Sequence, residues 1–466
     1  MERLSGLDAS FLYIESSTQP LHVCSILELD TSTVPGGYSF DRLRDELASR
    51  IAAIPELRAK LADSQLNLDY PVWVDDDGFD LDRHLLRIKL PSPGGRRELV
   101  EICGHIASAP LDRDRPLWEM WVIEGVAETD PRAGGLLAVM TKVHHAAVDG
   151  VNGANLLSQL CSAAPDMPPP EPVEGAGSAG PLQIAAGGLM RFAARPWQLV
   201  NLMPTTAATI VKTLRRAGDG LTMAAPFTAP ATRFNTSVTA DRNIALVQLS
   251  LDDVKKVKDR FNVTVNDVVM ALCASVLRWF LSDYGELPAK PLVAMVPVSV
   301  HDKSDRPGHN QLSGMFCSLA THISDPAQRL RAIARSDAAA KNHSSAISPT
   351  LLQDWAQLAA RAVFGAVFRL LADSPLIGNP VHNLIVSNVP GPQATLYFLG
   401  CEVQAMYPLG PLFHGCGLNI TVMSLDGKLN VGVVSCPDLL PDLWRLADDF
   451  DVALQELLEC DVPARR

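Results

Sequence analysis

An apolar, β-prone stretch that ends in two histidines constrains the fold of this chain more than any other feature. Residues 136–143 read Leu-Leu-Ala-Val-Met-Thr-Lys-Val, a composition typical of a buried strand. His144-His145 follow, and residues 151–160 then place leucines at helical spacing, so the pair lies where a strand gives way to a helix. A histidine at such a junction can reach a cleft while the sheet holds its backbone. Its ordinary pKa of about 6.5 suits it to accept a proton near neutral pH.

Composition narrows the class of protein. At 466 residues the chain has room for two or three domains and a large core. The nine cysteines are scattered and include no Cys-x-x-Cys pair, which indicates a reduced, cytoplasmic protein. A net charge of −12 argues against nucleic-acid binding. No apolar run reaches the roughly 18 residues of a membrane span, and the first residues lack the apolar core of a signal peptide.

Changes in composition predict three segments. Residues 1–163 and 233–466 each alternate helical and strand patterns, as a mixed α/β unit does. Residues 164–232 begin with a proline- and glycine-rich linker. Within them, 182–224 is apolar and basic, which fits helices lying at a membrane or lipid-droplet surface. A pair of helices packed on the body of the protein fits the same pattern, so both interpretations stay open.

The two histidines of the pair are not equivalent. Neighbouring residues on a strand point to opposite faces, so only one of them can readily face a common cleft. The alternative of a metal site draws on His144, His145 and Asp149, all of ligand type. The sequence contains no second ligand cluster and no His-Glu-x-x-His, so we expect no metal.

Asn266-Asp267 opens a second helical pattern. Thr264-x-x-Asp267 matches a capping box, so Asp267 could serve only to satisfy the first N–H groups of the helix. Helix N-termini also favour developing negative charge, which makes a substrate contact by Asn266 the competing interpretation.

Six separated motifs resemble one known family. His144-His145-x-x-x-Asp149-Gly150 resembles the HHxxxDG signature of the CoA-dependent acyltransferase superfamily. Five further stretches resemble motifs of the bacterial wax ester synthase/diacylglycerol acyltransferase family, and especially of its actinobacterial triacylglycerol synthases. They are Leu7–Leu12, Asp114–Glu119 with Pro-Leu-Trp, Val265–Val269 with Asn-Asp, Ser387–Pro392 and Gly417–Thr421.

The resemblance implies a fold and a set of partners. The fold is α/β, an α+β two-layer sandwich of two chloramphenicol-acetyltransferase-like subdomains around a central tunnel. Acyl-CoA enters the tunnel from one side, and diacylglycerol or a long-chain alcohol enters from the other. Acyl-CoA is then a substrate, and no cofactor is expected. The enzyme would work in the cytoplasm, peripheral to the inner face of the membrane or to lipid droplets.

The resemblance also implies residue roles. His145 is the general base and His144 supports it. Asp149 is a structural or orienting residue, and Gly150 permits the tight turn after the motif. Two further sets follow. The expected substrate-side residues are Asn266, Asp267, Ser387, Asn388 and Gly391. Pro116 and Trp118 are expected to brace the first subdomain.

The leading interpretation is an acyl-CoA-dependent O-acyltransferase that makes triacylglycerol, and wax esters where the acceptor is a long-chain alcohol. Condensation on a carrier-bound thioester is a second interpretation, because the same histidine motif serves it. That interpretation predicts a carrier segment with an attachment serine, or a partner that supplies one, and the chain contains no recognisable carrier segment. A non-catalytic lipid-droplet homologue is the third. The intact His145, Asp149, Asn266 and Asp267 argue against it.

Overall fold

The computed structural model describes residues 2–63, 69–126, 136–147, 159–173, 175, 184, 228–299, 312–344 and 380–460. Asp149 and Gly150 lie outside these residues, as does the 182–224 segment apart from Ile184. The expectations placed on them therefore stay predictions.

Seven strands among the described residues form the larger sheet, which carries the histidine pair at one end. With strands numbered in chain order, the sheet runs β5 (Leu85–Lys89), β6 (Trp118–Glu124), β7 (Leu136–His144), β2 (His22–Asp30), β14 (Cys401–Leu409), β13 (Tyr397–Phe398) and β8 (Cys161–Ser162). The strand predicted before the histidines is confirmed as β7. It pairs antiparallel with β2, and His22 lies opposite His144.

In the described part of the chain, six strands form the second sheet. Their order is β11 (Leu312–Ser318), β10 (Val293–Ser299), β12 (Leu384–Val389), β15 (Leu418–Leu425), β16 (Lys428–Ser435) and β9 (Asn243–Ser250). A third, three-stranded sheet consists of β1 (Glu2–Arg3), β4 (Val72–Asp75) and β3 (Ala59–Ala62). Sheets with helices packed on them confirm the expected mixed α/β class.

Two strands of the larger sheet come from the distant C-terminal half. β14 pairs with β2, with Leu409 opposite Cys24, and β13 pairs with both β14 and β8. The expected segments 1–163 and 233–466 did not anticipate this exchange, because a pairing across so many residues leaves no local periodicity. The N-terminal sheet is thus completed by two strands, β13 and β14, that come later in the sequence than the first strands of the second sheet.

Helices cover the sheets. They are α1 (Gly6–Ile14), α2 (Phe40–Ile51), α3 (Arg96–Ser108), α4 (Leu251–Phe261), α5 (Val265–Asp283), α6 (Pro326–Ser344) and α7 (Leu443–Glu459), with 3-10 turns at Thr31–Thr33, Pro55–Arg58 and Leu81–Arg83. The sequence predicts a helix that begins after Ser39, a favoured N-cap residue. The structure confirms it, since Ser39 Oγ accepts from the Arg42 N–H at 3.3 Å. The dipeptide Asp426-Gly427 between two strand patterns predicts a hairpin. It joins β15 to β16, and both turn residues have positive φ, 43° at Asp426 and 74° at Gly427.

The two large sheets share a core along β14. Met406 of β14 packs in one apolar cluster with Leu27 of β2 and with Met423 and Leu425 of β15. Farther along β14, the Pro408 carbonyl approaches Gly432 of β16 so closely that no Cβ would fit there. The second sheet therefore lies directly against the strand that completes the first.

Helix α5 is the one described helix long and apolar enough to cross a membrane. Its residues Val265–Asp283 have a mean hydropathy of 1.4, and 72% of the window is buried inside the protein. A helix that is apolar on all sides and packed on all sides belongs to a protein core.

Candidate active site

His145 follows β7 directly and is held by contacts of its backbone and of its ring. Its backbone N–H donates to the Leu21 carbonyl at 2.9 Å, which extends the β7–β2 pairing by one residue. Its ring stacks on Phe11 of α1, with centroids 4.0 Å apart and planes inclined by 13°. The residue is 9% exposed. The motif beginning at Leu7 therefore supplies a ring that orients the imidazole expected to act as base.

His144 lies on the opposite face of the strand, as the alternation predicts, and is 1% exposed. Its Nδ1 accepts from the Ala146 N–H at 3.0 Å. Nδ1 must therefore be unprotonated, which leaves the proton of the neutral ring on Nε2. Nε2 is 3.3 Å from Oε1 of Glu15. One tautomer of His144 is thus selected between a backbone N–H and a carboxylate.

Glu15, immediately after α1, joins the two histidines. Its Oε1 accepts from the Leu21 N–H at 3.0 Å, and its Oε2 accepts from Arg113 at 2.5 Å. Burial raises the pKa of Glu15, but the contacts with His144, Arg113 and Leu21 outweigh burial and hold that pKa well below its usual range. Leu21 donates to Glu15 and accepts from His145. One residue of backbone therefore separates the carboxylate from the expected base.

His22 completes a buried row on the His144 face. Its Nε2 is 3.6 Å from Oε1 of Glu15, and its ring meets the ring of His144 edge-on at 6.1 Å. Burial, together with the nearby Lys142 ammonium, lowers the pKa of His22 to about 3. His22 is therefore neutral at physiological pH.

Lys142 is buried two residues before His144, at 1% exposure. Its Nζ lies 2.8 Å from Oε2 of Glu119 and donates to the carbonyls of Ile106 and Ala109, each at 3.1 Å. These carbonyls lie at the C-terminal end of α3, where a positive charge is favourable. The ammonium thus fixes that end of α3 on β7 behind the histidines.

The two residues expected to brace the first subdomain make contacts within it. Trp118 Nε1 donates to the Leu57 carbonyl at 2.8 Å, and its indole stacks on His84 at 4.7 Å. The Pro116 carbonyl accepts from the Trp118 N–H at 2.8 Å. The bracing role itself stays a prediction.

Asn266 and Asp267 lie at the N-terminus of α5. Asp267 forms the capping box suggested by the sequence, since its Oδ2 accepts from the Thr264 N–H at 2.7 Å and the Thr264 hydroxyl at 2.8 Å. Asn266 Nδ2 donates to Oδ2 of Asp337 in α6 at 3.0 Å. This hydrogen bond commits the amide nitrogen, so a substrate contact by Asn266 would have to use its carbonyl oxygen.

Ser387, Asn388 and Gly391 lie at the C-terminal end of β12. Ser387 pairs in register with Thr421 of β15, and Asn388 with the next residue. The Gly391 N–H donates to Ser424 Oγ at 3.2 Å, and the Ser424 carbonyl leaves no room for a Cβ at Gly391. Within the described ranges, the hydrogen bonds of Gly391 and of the Asn266-Asp267 pair do not reach the histidines.

Sequence reasoning missed Glu15, Phe11 and Arg113. Phe11 and Glu15 are four residues apart at the end of one helix, so both can face the same neighbour. That spacing was the available signal. Among the described residues, no group of three or more His, Cys, Asp or Glu side chains could hold a metal ion.

Comparison with known proteins identifies the family. The model of the wax ester synthase/diacylglycerol acyltransferase catalytic domain matches residues 4–269, and the model of its C-terminal domain matches residues 309–458. A "putative diacylglycerol O-acyltransferase" of Mycobacterium tuberculosis is 62% identical over 99% of this chain and 91% of the relative. A second M. tuberculosis protein, a "probable diacylglycerol O-acyltransferase", is 35% identical over 98% of this chain and 99% of the relative.

Solved structures agree on the architecture. The wax ester synthase/diacylglycerol acyltransferase of Marinobacter aquaeolei VT8 has a TM-score of 0.71 at 29% identity and covers 98% of both chains. The first condensation domain of the calcium-dependent antibiotic synthetase has a TM-score of 0.57 at 16% identity and covers 98% of this chain and 96% of that chain, which shows a shared fold. This chain belongs to the wax ester synthase/diacylglycerol acyltransferase family.

Proposed function

We propose that this enzyme transfers a fatty acyl group from acyl-CoA to the free hydroxyl of diacylglycerol, giving triacylglycerol and CoA, with His145 as the general base. The observation that carries the proposal is the way His145 is held. The Leu21 carbonyl fixes its backbone and Phe11 fixes its ring plane, at the position of the family's histidine motif. A base positioned in this way contributes about 10²–10⁴-fold to such a transfer.

The reaction needs no covalent enzyme intermediate. A neutral nitrogen of His145 takes the proton of the acceptor hydroxyl as the oxygen attacks the thioester carbonyl. The tetrahedral intermediate then collapses, the C–S bond breaks, and the CoA thiolate leaves and is protonated by the imidazolium. Proton and charge balance within the two substrates and one histidine. We therefore propose direct transfer without a cofactor.

The remaining expected roles belong to this proposal. Asp149 orients the motif and Gly150 permits its turn. Ser387, Asn388 and Gly391 shape the substrate side of the tunnel. Asn266 and Asp267 shape the wall of the tunnel opposite His145. A long-chain alcohol presents the same hydroxyl to His145, so wax ester synthesis would follow the same steps.

Lipid-surface association is a separate part of the proposal. Diacylglycerol and triacylglycerol partition into membranes and droplets, and residues 191–216 carry five basic side chains among apolar ones. Such a composition favours anionic lipid surfaces. We place the enzyme in the cytoplasm at the inner membrane face or on lipid droplets. Liposome flotation checks this, because replacing those basic residues should weaken binding to anionic vesicles.

The decisive experiment measures triacylglycerol formed from radiolabelled palmitoyl-CoA and diolein. His145→Ala should abolish the product while leaving the protein folded, whereas His105→Ala, on the exposed face of α3, should behave as wild type. Equal turnover by H145A would remove the assigned base. Hydroxylamine should trap no acyl-enzyme, and a trapped species would contradict direct transfer.

The same assay separates the condensation alternative. That activity would require a carrier-bound thioester in place of acyl-CoA. Turnover of a carrier-bound acyl group with no turnover of palmitoyl-CoA would favour it.

A further inference from the structure

A buried acidic cluster where α5, α6 and β11 meet has no part in the reaction scheme above. Asp267 of α5 is 4% exposed, and Asp337 of α6 is 1% exposed. The thiol of Cys317 on β11, fully buried, contacts the Asp337 carboxyl. Two carboxyl groups that contact each other in a buried environment cannot both be ionised at low cost in free energy.

Two buried carboxyl oxygens of this cluster accept no hydrogen bond from the described residues. Asp267 Oδ2 accepts from the N–H and the hydroxyl of Thr264, and Asp337 Oδ2 accepts from Asn266. The Oδ1 atom of each aspartate is buried and receives no donor from the described part of the chain. The two carboxyl groups are themselves in hydrogen-bonding contact. A single proton between them would satisfy both oxygens.

The surroundings decide which aspartate holds that proton. Asp267 lies in the first turn of α5, where the helix favours negative charge, and its Oδ2 already accepts two hydrogen bonds. Asp337 lies in the middle of α6 and has no such advantage. Burial, supported by the adjacent Asp267, raises the pKa of Asp337 to about 6, against the opposing influence of Cys317 and Lys341. Asp337 is therefore the carboxyl group that holds the shared proton.

We propose that Asp337 is the positioning residue of the Asn266-Asp267 motif. One of its oxygens accepts from Asn266 and the other donates a shared proton to Asp267, so that α6 is latched onto the N-terminal turn of α5. Both motif side chains are then occupied by a neighbouring helix. Loss of the motif would impair activity by displacing α6, without either side chain touching substrate.

The proton shared by Asp337 and Asp267 makes the free energy of unfolding depend on pH. The titratable groups facing Asp337 are Asp267 from α5, Cys317 from β11 and Lys341 from its own helix. Because the pKa of Asp337 is raised on folding from its ordinary 3.8 to about 6, its contribution is complete below pH 3.8 and is lost as the pH rises through 6. Between pH 5 and pH 8 this group alone should raise the unfolding equilibrium constant about tenfold.

The test compares Asp337→Asn with Asp337→Leu in the full-length enzyme. Asparagine reproduces the protonated aspartate, since its carbonyl can accept from Asn266 and its amide can donate to Asp267. D337N should abolish the tenfold change between pH 5 and pH 8 in urea unfolding, and it should restore the triacylglycerol synthesis lost in D337L. Asp283→Asn is the matched control, because it makes the same change at the exposed end of α5, where Asp283 pairs with Arg445, and should keep the wild-type pH response.

Infrared spectra supply a readout that does not depend on how D337L folds. The carbonyl band of a buried, protonated carboxylic acid should be present in wild type at pH 5, fade by pH 8, and be absent from D337N. The proposal is overturned if D337N keeps the wild-type pH response or the acid band. It is also overturned if D337N is destabilised as strongly as a D337L variant that folds.

Discussion

Glu15 is the residue whose replacement most directly tests how this site is built. It accepts from the Leu21 N–H at 3.0 Å and from Arg113 at 2.5 Å, and it lies 3.3 Å from Nε2 of His144. Glu15→Ala leaves two buried donors, the Leu21 N–H and the His144 ring N–H, without an acceptor. A buried group left unsatisfied costs about 1–3 kcal/mol, so we expect a stability loss of about 4 kcal/mol. Arg113 adds little, because its half-exposed guanidinium can return to water.

Glu15→Gln separates catalysis from folding. Its carbonyl oxygen can still accept from Leu21 and His144. Its amide NH₂ then faces the Arg113 guanidinium, and because both groups are donors they cannot form a hydrogen bond. We expect a stability loss of only about 1–2 kcal/mol. Because Leu21 also accepts from His145, a small shift of this backbone moves the base, and a misplacement of about 1 Å costs about 10²-fold in rate.

The assay is kcat and KM for palmitoyl-CoA with diolein, next to urea unfolding of each variant. E15Q should lower kcat and leave KM unchanged, as expected for an interaction that serves the transition state. Glu46→Gln, which loses only a pair with Arg50 on α2, is the matched control and should keep wild-type kcat. Wild-type kcat in E15Q would refute the view that the carboxylate positions His145. A rise in KM alone would assign Glu15 to substrate binding instead.

Three further predictions follow from neighbouring contacts. Phe11→Leu keeps an apolar side chain but loses the stacking on His145, so kcat should fall while unfolding in urea shows a loss of about 1 kcal/mol. Burial lowers the pKa of His22 to about 3, below its unfolded value. The contribution of His22 to the free energy of unfolding is therefore fully present above about pH 6.5. It is lost as the pH falls, by up to about 1.4 kcal/mol per pH unit. His22→Gln should flatten that acid limb, and an unchanged limb would place the titration elsewhere. Lys142→Met leaves the carbonyls of Ile106 and Ala109 without their donor and should cost about 1–3 kcal/mol in urea unfolding, whereas a neutral result would show that these contacts contribute nothing.

Local patterns were enough to predict the elements that carry the motifs. The apolar run before His144 is β7, the Asp426-Gly427 turn joins two strands, and Thr264 caps α5. Each rests on a preference expressed within a few residues, namely strand composition, positive φ or a capping side chain. Such preferences survive folding when tertiary contacts do not oppose them.

Long-range pairing and burial were not accessible in the same way. The sequence of residues 401–409 does not predict that they pair with β2, because the register between two strands is set by packing and not by either strand alone. Glu15 reads in the sequence as a polar residue after a helix. Its role arises only when the end of β7 places His144 beside it.

The histidine doublet itself explains why its two positions should not be interchangeable. Strand alternation sends one ring toward each face, and the two faces differ in chemistry. On one face, Glu15 and a backbone N–H hold His144 in a single neutral tautomer at 1% exposure, so this ring has no free nitrogen for an acceptor alcohol. On the other, His145 meets an apolar ring that fixes its plane. Replacing His144 by Gln should therefore lower kcat through the position of His145, whereas replacing His145 by Gln should remove the proton acceptor altogether. A pH–rate profile distinguishes the two, because only a variant that retains the base can keep the acid limb of kcat.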